Sequence, residues 1–417
     1  MTLRLQDVQT ITARRMAAPI TIMALLAYAV PSAFAMSLEE RKDLDLSEYE
    51  VTHPEASYFE VDERMALLQE TDNSLLLQHR NELAKHAPSC QQRLELPPIT
   101  DKMRIPGFYP TPDDWRLATE PLFAFEDTVT ELAGAYVASS DDYYAECLVQ
   151  FLDQWAGEDA LLDFHYHWSD PQAWFSLESM IFAAAMAYSV VEPGIEGMRE
   201  ERDRVESWLN ELASVHMEIE GADSSCCNNH FYRRALYATM VGVLTEDDKM
   251  FRFGVSAIHS ALHDMTEEGA FPLEMQRGRR ATHYQNYALL YLIPIIEIAS
   301  RQGYDIYDLE VGGSTIHDAV DFTMEILENP AQLGDLAPRD QYTGFLKDDQ
   351  YFAWMEMYRK RFDDDRFDDL LAPMRPIYNR SAGGYATLYF MEPEVQTHIV
   401  PDEEERQSRA LKGLADQ

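Results

Sequence analysis

At 417 residues and a formal net charge of −39, the chain has room for one large domain or two ordinary ones, and its acidity argues against nucleic acid or an anionic membrane as partner. Hydrophobic residues make up 46% and charged residues 26%, enough for a sizeable core in a soluble protein, and no apolar run beyond the N-terminus is long enough to cross a bilayer. The same charge repels a polyanionic ligand unless basic residues gather locally or salt screens the rest; the Debye length falls from ~10 Å at 0.1 M to ~3 Å at 1 M, so a saline habitat is expected.

Residues 1–35 hold Arg14 and Arg15, an apolar stretch from Met16 to Val30, and the small-x-small site Ala33-Phe34-Ala35. That is the pattern of a secretory signal cut after Ala35, which predicts a periplasmic or secreted protein with no membrane attachment once processed. Export makes Cys90, Cys147, Cys226 and Cys227 candidates for disulfides. Four cysteines permit three pairings, and spacing does not choose among them. A vicinal Cys226-Cys227 bridge stiffening the turn before His230 stands beside free or separately paired thiols.

Residues 36–89 read as an acidic, partly helical N-terminal extension, with Met65, Leu67, Leu68, Leu75, Leu76 and Leu77 marking a helical run from Asp62 to Ala84. Between Pro97-Pro98 and Trp115 the proline content predicts a long loop, of a length that often serves as a lid. From Glu120 the pattern turns helical: Leu122, Phe125, Val129, Leu132 and Tyr136, then Cys147, Phe151, Leu152, Trp155 and Leu162. Met180–Val191 predicts a helix buried on all sides, closed by Pro193-Gly194. Trp208–Met217, Phe253–Met265, Tyr287–Ala299 and Ile316–Leu327 continue the series. Strand-like alternation is confined to Tyr385–Phe390, expected as a short terminal strand. Many antiparallel helices without intervening strands predict one all-α domain over residues 90–395, followed by a charged tail at 396–417.

Two segments carry the chemistry. Asn228-Asn229-His230 sets an amide beside an imidazole, and Arg277 precedes Tyr284 by seven residues. Together they suit removal of a proton from the carbon next to a carboxylate, followed by loss of an alcohol. The carboxylate must first be neutralised. Arg277 can fork onto it and the Asn229 amide can donate a further hydrogen bond. Tyr284 can act as base and then as acid if a cation lowers its pKa from ~10, while His230 titrates nearer neutrality. Taken alone, an Asn-His pair is more often turn and capping chemistry.

The conjunction of blocks is more specific. Asn228-Asn229-His230, Arg277, Arg280-Ala281, Tyr284 and Asn286-Tyr287-Ala288-Leu289 resemble the signature of the alginate lyases of polysaccharide lyase family 5. Phe151–Leu162 and Asp349–Glu356 look like further family segments, and the likeness covers roughly residues 90–390. The resemblance implies an incomplete α/α toroid with a tunnel-like cleft, β-elimination on alginate without a metal or other cofactor, and action as a monomer. It implies Asn229 and Arg277 as carboxylate neutralisers, His230 and Tyr284 as proton-transfer residues, and Cys90–Cys147 and Cys226–Cys227 as disulfides. Trp174 is a candidate sugar platform or core side chain, and Gln285, Tyr351 and Trp354 are further expected substrate contacts.

The chain also departs from the family pattern. Arg233 replaces an aromatic expected after the Asn-His block, Gln285 stands where a second His is common, the Lys102–Trp115 loop differs, and residues 36–89 have no counterpart. These bear on the choice of uronate polymer (polymannuronate, mixed alginate, glucuronan or hyaluronate) more than on the reaction. His165-Tyr166-His167-Trp168 offers a His-x-His pair without a third ligand nearby, read as structure or sugar contact. Asp363-Asp364-Asp365 is most simply a solvated face, and Glu274 is more plainly an ion-pair partner of Arg277 than one half of a glycosidase pair with Glu178. A glycoside hydrolase using that pair and a non-catalytic polysaccharide-binding protein are the rival readings.

Overall fold

A computed structural model describes residues 36–86, 89–108, 110–163, 171–219, 227–338, 340–380 and 382–395. Among them are sixteen helices: α1 Leu38–Lys42, α2 Val61–Glu70, α3 Ser74–His86, α4 Cys90–Arg93, α5 Pro112–Ser139, α6 Asp142–Gly157, α7 Pro171–Val191 and α8 Arg199–Met217. The second half holds α9 Asn229–Leu244, α10 Asp248–Asp264, α11 Pro272–Met275, α12 Ala281–Arg301, α13 Ile316–Glu328, α14 Ala353–Phe362, α15 Arg366–Leu371 and α16 Ala386–Phe390. The described residues contain no strand, only two isolated bridges at Val311–Ser314 and Asn379–Gly384.

Short connections force neighbouring helices antiparallel. α5, α7, α9, α12 and α14 pack side by side in that order as an inner row, while α6, α8, α10 and α13 back them. This is the expected α/α toroid of paired helices. The paired series does not close on itself; α16 and α3 fill the interval between α14 and α5. α7 is buried on every face from Met180 to Val191, as its uninterrupted apolar run predicts. α9 and α10 approach closely because glycine permits it: a Cβ on Gly254 would lie 1.8 Å from Thr239 Oγ1.

Residues 36–86 share the same hydrophobic core as the paired helices, through Leu46, Tyr49, Tyr58, Phe59, Leu68, Leu75 and Leu76. Arg64, 1% exposed, donates to the carbonyl oxygens of Leu388 at 2.5 Å and Thr387 at 3.4 Å. Gln302 Oε1 at the end of α12 accepts from the main chain of Thr52 and His53. The helical run foreseen over Asp62–Ala84 is two helices. Asn73 breaks it, its Oδ1 accepting from Leu75 and Leu76 as the cap of α3.

The terminal strand expected at Tyr385–Phe390 is instead the helix α16. All five of its residues are buried, so alternation had no half-exposed face to report, and Tyr389 stacks on Phe59 at 4.8 Å. α9 and α14 carry no separate expectation in the sequence pattern. Cys90 and Cys147 form the implied disulfide, joining α4 to α6. Cys226, and with it the Cys226–Cys227 pairing, lies outside the described residues, as do His165, Tyr166, His167 and Trp168.

Candidate active site

α9 starts where it does because Asn228 caps it. Asn228 is extended, with φ −123° and ψ −169°, and its side chain accepts from His230 N at 3.0 Å. The capping chemistry therefore falls to Asn228, and it sets Asn229 and His230 in the first helical turn. On the facing segment α11 delivers Glu274. Arg277 follows, ahead of Gly278 at φ +62°, a left-handed backbone that glycine adopts without strain. Tyr284 lies one turn into α12.

The fully buried Glu274 carboxylate joins these pieces. It accepts from Asn229 N at 2.8 Å and from Asn229 Nδ2 at 3.0 Å to each oxygen, and Arg277 Nε stands 3.5 Å from Oε2. Burial pushes this carboxyl above its usual range, while Arg277 and the Asn229 hydrogen bonds pull it back. Arg277 keeps 30% of its side-chain surface exposed, and its guanidinium carbon lies 4.5 Å from the Tyr284 ring centroid. Tyr287 and Tyr291 continue the aromatic wall beyond Tyr284, ring edge to ring face.

His230 stacks on Phe175 at 4.2 Å with planes 21° apart, and its Nδ1 is buried without a hydrogen-bond partner among the described residues. Burial first, then the charges of Arg233, Arg277 and Arg234, holds its pKa well below the ordinary 6.5. The imidazole is therefore neutral near pH 7, the form in which it can accept a proton.

Behind it, Arg233 donates to Phe175 O at 2.8 Å and Ser179 Oγ at 2.6 Å. It also faces the fully buried Glu178 at 3.8 Å, with Arg234 at 3.6 Å from the same carboxylate. Burial raises Glu178 to about 7 against the pull of both arginines.

The structure thus brings Asn229, His230, Arg277 and Tyr284 to one place. It does not do so for all the expected sugar contacts. Trp174 is 3% exposed and gives its indole N–H to His216 Nδ1 at 2.9 Å. Gln285 is fully buried, its amide bridging Phe271 N and Gly269 O, and Trp354 is fully buried with its indole on Asn286 Oδ1. These three are internal struts, because a buried amide or indole must find a partner inside the protein and each has done so. Tyr351, 9% exposed, lies edge-on to His283 at 4.7 Å, near the aromatic wall. The glycosidase pair also fails on geometry: Glu178 and Glu274 are both fully buried and each faces arginine.

Sequence reasoning missed Glu274 as the residue that holds Asn229. Its i,i+3 spacing to Arg277 signalled the ion pair, but nothing local signals a bond across 45 residues. Phe175 carried no signal, and Arg233 was visible only as a departure.

A family model described as "Alginate lyase" matches residues 71–333. A polysaccharide lyase of Stenotrophomonas maltophilia is 30% identical over 283 residues, covering 68% of this chain and 82% of that one. An alginate lyase of Azotobacter vinelandii is 26% identical, covering 66% and 74%. Among solved structures, alginate lyase A1-III from Sphingomonas species A1 superposes with a TM-score of 0.77 at 33% identity, covering 84% of this chain and 99% of that one. A Tyr→Phe and a His→Ala variant of A1-III are each solved with a tetrasaccharide. Their two substituted positions are separated by the same number of residues as His230 and Tyr284 here.

Proposed function

Because the chain belongs to the alginate lyase family, we propose that it depolymerises alginate by β-elimination, with Asn229, His230, Arg277 and Tyr284 as its catalytic residues. The observation that carries the residue assignment is the Glu274-centred cluster. One buried carboxylate orients the Asn229 amide and the Arg277 guanidinium, and that guanidinium lies against the Tyr284 ring. The matching separation of His and Tyr in A1-III supports the same choice.

The chemistry follows from what each group can do. A uronate carboxylate resists loss of its C5 proton because the resulting carbanion adds charge to charge. Arg277, partly exposed, binds the carboxylate directly. Asn229 Nδ2 carries two hydrogens; a three-centre bond to the Glu274 fork uses one and leaves the other for the substrate. The C5 proton then passes to a base, the electron pair forms the C4–C5 double bond, and the C4–O bond breaks as an acid protonates the departing oxygen. Tyr284 serves both steps when H5 and O4 lie on one face of the ring, as in mannuronate. Guluronate, the C5 epimer, presents its proton to the opposite face, where neutral His230 is the available base. This favours polymannuronate or mixed blocks as substrate, acted on by a monomeric enzyme after export.

The test is direct. Mature protein is incubated with polymannuronate, polyguluronate and glucuronan while ultraviolet absorbance of the unsaturated uronate is followed. Absorbance rising fastest on polymannuronate is expected. Chain shortening without new absorbance would indicate hydrolysis, and binding without shortening would indicate a non-catalytic protein.

A further inference from the structure

Asp264 closes α10 and is 6% exposed. Its Oδ1 accepts from the main-chain nitrogen of Met36 at 2.6 Å, itself a buried residue, and lies 2.9 Å from His263 Nδ1. Its Oδ2 is buried with no hydrogen-bond partner among the described residues. Burial raises the carboxyl against the pull of His263 and Met36, and Glu40 adds a like charge nearby. A neutral peptide N–H brings one hydrogen to this site and no charge. His263 does not complete it, because its ring nitrogen serves Oδ1 alone and leaves Oδ2 without a partner among the described residues. The site is built for a cation with several donors at the position of Met36 N.

The sequence supplies one. Ala33-Phe34-Ala35 is a small-x-small cleavage site, and the residue after it is Met36. We propose that the chain is cut between Ala35 and Met36 and that the α-ammonium so created docks on Asp264 as a buried ion pair. The step is hydrolysis by an export-associated peptidase. Water gives its hydroxyl to the Ala35 carbonyl, the C–N bond breaks, and the Met36 nitrogen leaves as an amine that takes up a proton, its ordinary pKa being ~7.7–8.0. Three N–H donors then replace one, enough to serve both Asp264 oxygens with a charge-assisted pair.

The surroundings tie this pair to the catalytic helix. Cys227 Sγ lies 3.1 Å from Met36 O, and Cys227 directly precedes the Asn228 cap. Arg41, on the helix that Ser37 caps, places its guanidinium 3.5 Å over the ring of Phe231 in α9. A small cavity beside Asp264 is walled by Cys227, Tyr232, Phe271 and Glu274. The proposed pair therefore sits against the segment that leads into α9, one residue before its Asn228 cap.

The experiment has two parts. The intact mass of the exported protein must correspond to a chain starting at Met36; another start overturns the proposal. Chains beginning at Met36, or at two extra residues before it, are then prepared with and without Asp264→Asn. Asp264→Asn is expected to lower the Tm of the Met36 chain by about 2 °C or more beyond its effect on the extended chain, since only the former carries the ion pair. Equal losses in both chains overturn the docking. Amine-reactive labelling at the N-terminus gives a readout that does not depend on melting. The Met36 amine should be protected in the native protein and labelled several-fold faster in Asp264→Asn, whereas equal labelling contradicts the pair.

Discussion

The Glu274 carboxylate accepts hydrogen bonds from both the main-chain and the side-chain nitrogen of Asn229, at 2.8 and 3.0 Å. One acidic side chain thus holds both nitrogens of the first residue of the Asn228-capped helix α9 and sets which way its first amide faces. It does so while facing Arg277, so the two groups assigned to the substrate carboxylate share one anchor.

Replacing that anchor should therefore cost rate more than fold. In Glu274→Gln one acceptor becomes a donor facing the Asn229 nitrogens, and Arg277 loses its counter-charge. We expect kcat to fall by about 10²-fold, in the range for loss of one oriented donor, with far-ultraviolet circular dichroism unchanged. Unaltered turnover would show that Asn229 needs no such anchor.

Arg233 acts on His230 in two ways, holding Phe175 by its carbonyl and placing positive charge beside the imidazole. His230 is also faced by Arg234 and Arg277, and Glu178 offsets part of the Arg233 charge. Removing one cation makes the imidazole easier to protonate. On polyguluronate, where His230 is the assigned base, the acid limb of the kcat/KM profile should move to higher pH in Arg233→Gln, while Arg233→Lys, which keeps the charge, should leave it nearer the wild-type position. A limb that moves equally in both variants would assign Arg233 to packing alone.

Stability should depend on pH with a sign set by the buried groups. His216 and His283 are held at about 3 and His230 well below 6.5, all primarily by burial, so below pH 6.5 the unfolded chain binds protons that the folded one refuses. Glu126 and Glu178 are raised to about 8 and about 7, so above 4.5 the folded chain holds protons that the unfolded one releases. The two effects oppose each other between 4.5 and 6.5. Below 4.5 the histidines dominate and stability falls steeply as pH drops, each contributing about 1.4 kcal/mol per pH unit; above 6.5 the raised carboxyls dominate, and stability declines until the pH passes their folded values at about 7 and about 8. Denaturant midpoints measured from pH 3 to 9 should peak near pH 6 to 7. A flat profile down to pH 3.5 would contradict the burial of neutral imidazoles.

The Cys90–Cys147 bridge closes a separation of 57 residues and lies on α4 and α6, apart from the residues assigned to catalysis. Cys90→Ser with Cys147→Ser should lower unfolding free energy by about 2 to 4 kcal/mol and leave kcat on polymannuronate within about twofold. The comparison is urea unfolding and initial rates on the same preparation.

How much of this was legible in the sequence depended on how local the signal was. α5, α6, α7, α8, α10, α12 and α13 announced themselves because apolar periodicity is written within each helix. α16 was misread because its residues are all buried, so the apparent alternation did not report one buried and one exposed face. The four side chains proposed as catalytic were legible as blocks in a recognisable order, since residue types and spacings survive without structure. Their convergence through Glu274 was not, and neither were the inward commitments of Trp174, Gln285 and Trp354. Those depend on which partner lies across the fold, and an indole or amide in a sequence does not say whether its hydrogen bond will be to protein or to sugar.

The central claim is that an amide and a guanidinium neutralise a uronate while a phenol and an imidazole move its proton. The most direct measurement is the initial rate of unsaturated-uronate absorbance on polymannuronate for wild type, Tyr284→Phe and Arg277→Ala, with melting curves on the same samples. Each variant should lose at least about 10³-fold in kcat and melt close to wild type. Near-wild-type rates in either folded variant would contradict the assignment.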